Sequence, residues 1–355
     1  MSIIYSGVIY MRTRITELFE IEYPILLSGM SFISIPQMAA AVSNAGGLGL
    51  VATGPLSIEN TRKAIKEIRS LTDKPFGMNV SLKLPGGIEK AAVLLEEKVP
   101  IINVSLGKGD WIAEEAHKYG GRVIATVVNH THAKKAEDYG ADALIVTGHE
   151  AGAHGGSITS LVLIPSIADS VKIPVIAAGG FSDGRGLAAA LALGAEGIAM
   201  GTRFMTTQES PLHTYYKELS LKKSIYDTIY SDGFDGMASR IMDTEAARRK
   251  LKKGMDVFAA YKSSRQRAKE MNVPYIKLLM QTLSSGLKES MKLAHLAEGI
   301  EAIRIAIEDG NQEKGLLPAG QGVGLINDIP TVSELIERII LEAKTTQKKM
   351  GGQIN

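Results

Sequence analysis

A closed (β/α)8 barrel carrying an inserted, mostly helical lid is the fold class this sequence predicts, on three observations. Eight short apolar runs recur from residue 24 to about 205. Amphipathic stretches rich in charge separate them. Two of those stretches, Tyr139-Gly-Ala-Asp-Ala-Leu-Ile and Leu193-Gly-Ala-Glu-Gly-Ile-Ala, stop on a glycine just before the next run. Glycine at that place relieves the Cβ clash of a left-handed residue, so each is a helix stop with a physical cause.

In chain order the runs are Pro24-Ile-Leu-Leu27, Leu48-Gly-Leu-Val51, Phe76-Gly-Met-Asn-Val80, Ile101-Ile-Asn-Val-Ser105, Val123-Ile-Ala-Thr-Val127, Ala143-Leu-Ile-Val146, Pro174-Val-Ile-Ala-Ala178 and Gly197-Ile-Ala-Met200. They are apolar on both faces, as strands covered by helices must be. The helices read between them include Ile58 to Ser70, Ala113 to Tyr119, His132 to Tyr139 and Gly184 to Leu193. A doubly wound open sheet is the competing fold. It would carry a G-x-G-x-x-G turn after an early strand, and none stands there.

After residue 205 the alternation stops. Residues 208–310 read as mostly helical and polar, followed by the small-residue loop Gly315-Leu-Leu-Pro-Ala-Gly-Gln-Gly-Val-Gly-Leu325 and an amphipathic helix from Val332 to Ala343. The expected organisation is a barrel over 12–207, a helical lid or substrate subdomain over 208–314, and a segment returning to the barrel over 315–344. Residues 1–11 and 345–355 are expected to be tails, the latter disordered.

Composition excludes several function classes. A net charge of +2 over 355 residues gives no reason to expect nucleic acid or an acidic membrane surface as a partner. No apolar run approaches 18 residues, so no membrane span is expected. Cysteine is absent, which removes disulfides, thiolate metal sites and a cysteine nucleophile. The N-terminus lacks a basic segment and a cleavage site, so a signal peptide is not expected, and Met11 opens a more ordinary beginning. A cytoplasmic protein is the expectation.

Barrel chemistry gathers in the loops after the strands. After strand 6 comes Thr147-Gly-His-Glu-Ala-Gly-Ala-His-Gly-Gly-Ser157, where small residues surround two imidazoles and a carboxylate. His154 is the catalytic candidate, because Gly152, Ala153, Gly155 and Gly156 leave its ring unshielded. Strand 1 is followed by Gly29 and Met30, and strand 3 carries Asn79, an amide at the end of an apolar run. Gly179-Gly180 after strand 7 and Gly201-Thr202 after strand 8 occupy the two loops that often hold a phosphate on backbone N–H groups. His130 and His132 form an H-x-H without a third ligand at a matching spacing, so no metal is expected. Ser157 has no acid–base partner, which argues against a serine hydrolase.

Leu27-Ser-Gly-Met30, Ala39 to Gly49, Phe76-Gly-Met-Asn79, Glu150-Ala-Gly-Ala-His154, Val175 to Gly180, Gly201-Thr-Arg-Phe204 and Ala319-Gly-Gln-Gly322 occur in this order. Together they resemble the nitronate monooxygenases, formerly 2-nitropropane dioxygenases, and their relatives the FMN-dependent enoyl-acyl-carrier-protein reductases. The resemblance covers about residues 12–342 and implies an FMN-binding barrel with a helical lid. It implies that Gly29, Met30, Asn79 and Thr147 contact the flavin and that Gly179, Gly180, Gly201 and Thr202 hold its phosphate. His154 matches the family's active-site histidine and would line the substrate site with Met30 and Gln321. Three positions depart from the pattern: Ala153 replaces a usual glycine, Thr147 a longer polar side chain, and His149 is an unusual occupant.

The activity this implies is FMN-dependent oxidation of alkyl nitronates, and of nitroalkanes, by molecular oxygen to a carbonyl compound and nitrite. The alternative is an NAD(P)H-dependent FMN reductase acting on enoyl-acyl-carrier-protein or a quinone. Implied partners are a small-molecule substrate, oxygen and, for the alternative, NAD(P)H; a homodimer is left open.

Overall fold

The structure is a computed structural model that describes residues 11–254, 265 and 287–353, together with the paired two-residue strands Ile4–Tyr5 and Val8–Ile9. Eight parallel strands form its centre: β1 (Ile25–Leu27), β2 (Gly49–Ala52), β3 (Phe76–Ser81), β4 (Ile101–Ser105), β5 (Arg122–Val127), β6 (Ala143–Thr147), β7 (Val175–Ala178) and β8 (Gly197–Met200). Each pairs with its sequence neighbour from β2 to β8, and β8 pairs with β1. A parallel bridge between Leu26 and Leu48 closes the ring, so the eight-stranded barrel is as expected.

Alternation along the strands divides the apolar side chains into two cores. Leu26, Leu50, Ile101, Ile124, Ile145 and Ile176 point into the barrel. Helix α1 (Arg14–Phe19) adds Ile15 and Phe19 to that inner cluster and so plugs the barrel's lower end. The opposite faces, among them Ile25, Leu27, Val51 and Met78, pack outward against the helices. Those helices are α2 (Pro36–Asn44), α3 (Ile58–Leu71), α4 (Gly87–Glu96), α5 (Asp110–Lys118), α6 (His130–Asp138), α7 (Ser160–Ala168) and α8 (Gly184–Ala192). Helices α6 and α8 are followed by Gly140 at φ +91 and Gly194 at φ +87, the left-handed stops that the Gly-Ala steps predict.

Gly49 fixes how closely α2 approaches β2. A Cβ there would overlap the carbonyl of Ala39. Gly49→Ala should therefore destabilise by about 3 kcal/mol or more, at the upper end of overpacking costs, because helix backbone and not a side chain must move. Thermal unfolding of the two proteins measures it.

After β8 come α9 (Thr202–Met205), α10 (Thr214–Ser220), α11 (Glu245–Lys253) and α12 (Leu287–Ile307). Residues 208–310, read as mostly helical, also hold a feature that reading passes over: β9 (Thr228–Ser231) and β10 (Ser239–Met242) form an antiparallel hairpin. Thr, Ile and Tyr favour a pleated surface, and Asp232-Gly233 and Asp235-Gly236 supply the turn chemistry between the strands. The charge-rich α11 that follows masks this short signal. Much of the expected lid, 255–264 and 266–286, lies outside the described residues.

The chain then returns to the barrel. Helix α13 (Val332–Gly351) opens with a capping box between Thr331 and Glu334 and packs against α8, where the N–H of Gly184 donates to Glu342 at 2.9 Å. The disordered tail expected over 345–355 is corrected here, since α13 continues to Gly351. Its last turns hold helix through polar, helix-compatible residues, with the Thr345 hydroxyl bonding back to the Leu341 carbonyl. No helix among the described residues is long and apolar enough to cross a membrane.

Candidate active site

At the carboxyl ends of the strands the barrel interior turns from apolar to polar. Asn79 and Asn103 stand side by side in register on β3 and β4. The Asn79 amide donates to Asn103 Oδ1 at 2.7 Å, and Asn103 in turn donates to Thr126 Oγ1 at 3.0 Å. One step higher, the Ser81 and Ser105 hydroxyls lie 2.7 Å apart. Burial of such groups is tolerated because they satisfy one another. The repeated triplet Asn79-Val-Ser81 and Asn103-Val-Ser105 was a legible signal for this ladder, which a reading confined to Asn79 passes over.

Above the ladder lies a cavity of about 840 Å3. Gly29, Met30, Asn79, Thr147, His154, Gly179, Gly180, Gly201 and Thr202 all line it, so the fold gathers these nine predicted residues around one space. Gln321 does not line it, although Gly320 and Gly322 do. Its N–H donates to the Glu150 carbonyl at 2.9 Å, which holds the glycine-rich segment against the loop after β6. The Thr202 hydroxyl secures the same segment by accepting from the Gly320 N–H at 2.9 Å.

The β6 loop is held from several sides. Glu150 accepts from the N–H of Ser160 at 2.9 Å and from its hydroxyl, tying the loop to the start of α7. His149 accounts for itself locally: Nδ1 lies 2.9 Å from the Gly156 carbonyl, and its ring meets the edge of Tyr230. Ala153 takes φ +57, the left-handed region that a glycine enters freely. An L-residue there costs about 1 kcal/mol. Paired backbone bonds with Arg240, at 3.0 and 2.9 Å, hold it in place.

Those bonds also lay the β9–β10 hairpin across the loop. Arg240 is buried, donates twice to the His149 carbonyl and lies 5.3 Å from the Tyr230 ring centre. Burial pulls its guanidinium below the ordinary arginine value, from a level so high that the charge persists. The hairpin's turn delivers Asp235, 81 residues beyond His154 in sequence, to 2.8 Å from His154 Nε2. Asp235 also accepts from the Met237 N–H at 3.1 Å, so its carboxylate is oriented. An ionised carboxylate only accepts, so Nε2 carries the hydrogen and Nδ1 is the free base nitrogen of the neutral ring. Sequence reading missed Asp235, because nothing local marks an aspartate that acts across a fold. His130 of the H-x-H pair has its Nε2 2.7 Å from Ser166 Oγ.

The glycines after β7 and β8 fit a bound phosphate. Gly179 at φ +100 and Gly180 at φ +83 need to be glycine, and among the described residues the N–H groups of Gly180 and Gly201 find no partner in the chain. A Cβ on Gly201 would come within 3.3 Å of the Met30 sulfur and narrow the same space. Asn79 Oδ1 likewise accepts no hydrogen bond among the described residues, leaving an acceptor for a flat ligand's donor.

A parallel barrel with a glycine cradle at loops 7 and 8 and a carboxylate-held histidine at loop 6 suits a phosphate-bearing ligand beside an acid–base residue, and the family and relatives it matches make the chain a flavin-type oxidoreductase. The particular family follows from comparison: the nitronate monooxygenase family model matches residues 12–91 and 85–342, and the chain belongs to that family. It is similar to FabK from Thermotoga maritima, with 38% identity and a TM-score of 0.82 covering 97% of this chain and 99% of that one. It is 35% identical over 338 residues, 94% of this chain and 96% of the relative, to (3aS,4S,5R,7aS)-5-hydroxy-7a-methyl-1-oxo-octahydro-1H-indene-4-carboxyl-CoA dehydrogenase of Rhodococcus jostii (strain RHA1). Nitroalkane oxidase from Streptomyces ansochromogenes is 26% identical with a TM-score of 0.75, covering 95% of this chain and 99% of that one.

Proposed function

We propose that this protein is an FMN-dependent oxidoreductase that acts on the carbon chain of an acyl thioester with NAD(P)H as electron donor, a substrate class wider than the enoyl-acyl-carrier-protein or quinone of the alternative read from the sequence. The observation that carries this reading is the cavity. Its volume of about 840 Å3 is near the upper end of the range for ligand sites, roughly 300–1,000 Å3. That leaves room beside a flavin for more than a small alkyl nitronate. Leu296, Ile300, Ile303 and Ile307 of α12 give it an apolar wall suited to an acyl chain. Similarity to FabK and to a carboxyl-CoA dehydrogenase over nearly the whole chain supports the same class.

Gly180 and Gly201 would hold the phosphate of FMN, and Met30, Asn79 and Thr147 would border its ring system. FMN bound there supplies reversible two-electron chemistry. His154 handles the proton: in the reductive direction the imidazolium gives it from Nδ1 to the carbon next to an electron-withdrawing group, in the oxidative direction the neutral ring takes it there, and Asp235 holds the ring's orientation and stabilises its charged form. The α12 wall excludes water from the reacting carbon. Enoyl thioester plus two electrons and two protons gives the saturated thioester, and His154 is the site of one proton.

The second reading is oxidation of nitronates by oxygen, favoured by the family itself and by the base that His154 and Asp235 form, which suits removal of a nitroalkane α-proton. Anaerobic mixing separates the two. Bleaching of the purified yellow protein by NADH or NADPH, with reoxidation by an enoyl thioester, is the expected result. Bleaching by an alkyl nitronate alone would sink the thioester reading.

Asp235→Asn tests the dyad. An amide facing Nε2 no longer stabilises the imidazolium from which Nδ1 gives its proton, so kcat for thioester reduction should fall by about 10²-fold or more while flavin content holds. Unchanged kcat would reduce Asp235 to an anchor for the hairpin.

A further inference from the structure

Four basic side chains line the same cavity on the side away from the glycine cradle. Lys83 lies in the loop after β3, Lys108 in the loop after β4, and His132 and Lys135 on α6 after β5. In an eight-stranded ring, strands 3 to 5 stand across the mouth from strands 7 and 8, so this cluster is separate from the proposed flavin phosphate cradle. The proton-handling site uses none of the four. The side chains of Lys83, His132 and Lys135 are exposed and make no hydrogen bond or ion pair among the described residues. Lys108 is shared with Asp110, whose carboxyl it holds below the usual range.

Opposing charge is scarce along this wall. Among the described residues lining the cavity the carboxylate is Asp235, which sits on the hairpin side and is committed to His154. The chain as a whole carries only +2, so the cluster is not a sample of a basic surface. Leu84, Leu106 and Tyr139 line the cavity beside the lysines. Burial pushes the Tyr139 phenol up to about 12, which keeps it neutral. Exposed ammonium groups beside an apolar and aromatic surface match an organic phosphate: charge for the ester, flat area for a base or an amide-linked arm.

We propose that Lys83, Lys108, His132 and Lys135 form a phosphate-ester subsite, which anchors the charged tail of a long substrate whose reactive end reaches His154. Its occupant under the thioester reading is the nucleotide end of a coenzyme A thioester; the pyrophosphate of a nicotinamide dinucleotide offers the same chemistry. Both would weaken with added salt, since the cations face solvent.

The test uses FMN-loaded protein, parent and the double variant Lys83→Gln/Lys135→Gln. Calorimetry measures the affinity of coenzyme A, of 3′,5′-ADP and of NADPH, and kinetics compare a coenzyme A thioester with the same acyl group on N-acetylcysteamine. The expected result is a loss of coenzyme A and 3′,5′-ADP affinity of roughly tenfold, two exposed charge contacts' worth, with the truncated thioester turned over as before. A loss confined to NADPH keeps the subsite and makes the dinucleotide its occupant. Equal affinities in parent and variant, or a parent with no affinity for any of the three, would overturn the subsite. A protein that turns over no thioester yet loses nucleotide affinity in the variant keeps the subsite and defeats the thioester reading.

Discussion

His154→Ala should lower turnover by about 10²–10⁴-fold, the usual contribution of a positioned acid or base. The flavin content should stay near that of the parent, because the proposed phosphate cradle comes from loops 7 and 8. Rapid mixing divides the effect further. Bleaching by NADPH needs no proton from His154 and should persist, whereas reoxidation by an enoyl thioester should slow by the whole factor. With nitro compounds as substrates, a neutral nitroalkane should suffer far more than its pre-formed nitronate, which has already lost the α-proton. Equal losses on both would make His154 a positioning residue. No loss on any substrate would remove it from the chemistry.

Gly201→Leu should yield protein that is folded but largely colourless. Gly201 lies outside the left-handed region, so a side chain there adds no backbone strain. The nearest atoms to its Cβ would be the Met30 sulfur at 3.3 Å, Ser28 Cβ at 3.8 Å and Met30 Cγ at 3.9 Å, and the rest of the leucine would extend into the cavity. The proposed FMN phosphate would lose both its space and its approach to the Gly201 N–H. Flavin released on denaturation, measured against protein, gives occupancy, and far-ultraviolet circular dichroism checks that the barrel is intact. Full occupancy would place the phosphate elsewhere in the cavity. The same substitution at Gly180, φ +83, would confuse this result with strain.

The barrel was legible because its signals are local and repeated. A strand covered on both faces must be apolar throughout, and a helix that stops before it needs a left-handed residue. The glycines of loops 1, 6, 7 and 8 were legible for a related reason: small residues at strand ends have few other uses in such density. The β9–β10 hairpin was not, since its two four-residue strands lie among highly charged helical stretches and carry too few residues for periodicity to declare itself. Helix α13 outran its apolar stripe to Gly351 because exposed turns can continue on helix-compatible polar residues alone.

By itself, then, the sequence determined the ring of eight strands, the helices that cover it and the strand-end loops that face one another at its mouth. These follow from periodicity and from glycine's freedom of φ, which are properties of neighbouring residues. Only the tertiary structure decided that Asp235 meets His154, that Asn103 and Thr126 extend the polar ladder begun by Asn79, and that Gln321 anchors its loop by its backbone and leaves the cavity wall to its neighbours. The reason is physical. Each of those relations joins groups on different elements, and a side chain's partner across space is set by how closed elements pack, which no stretch of neighbouring residues specifies.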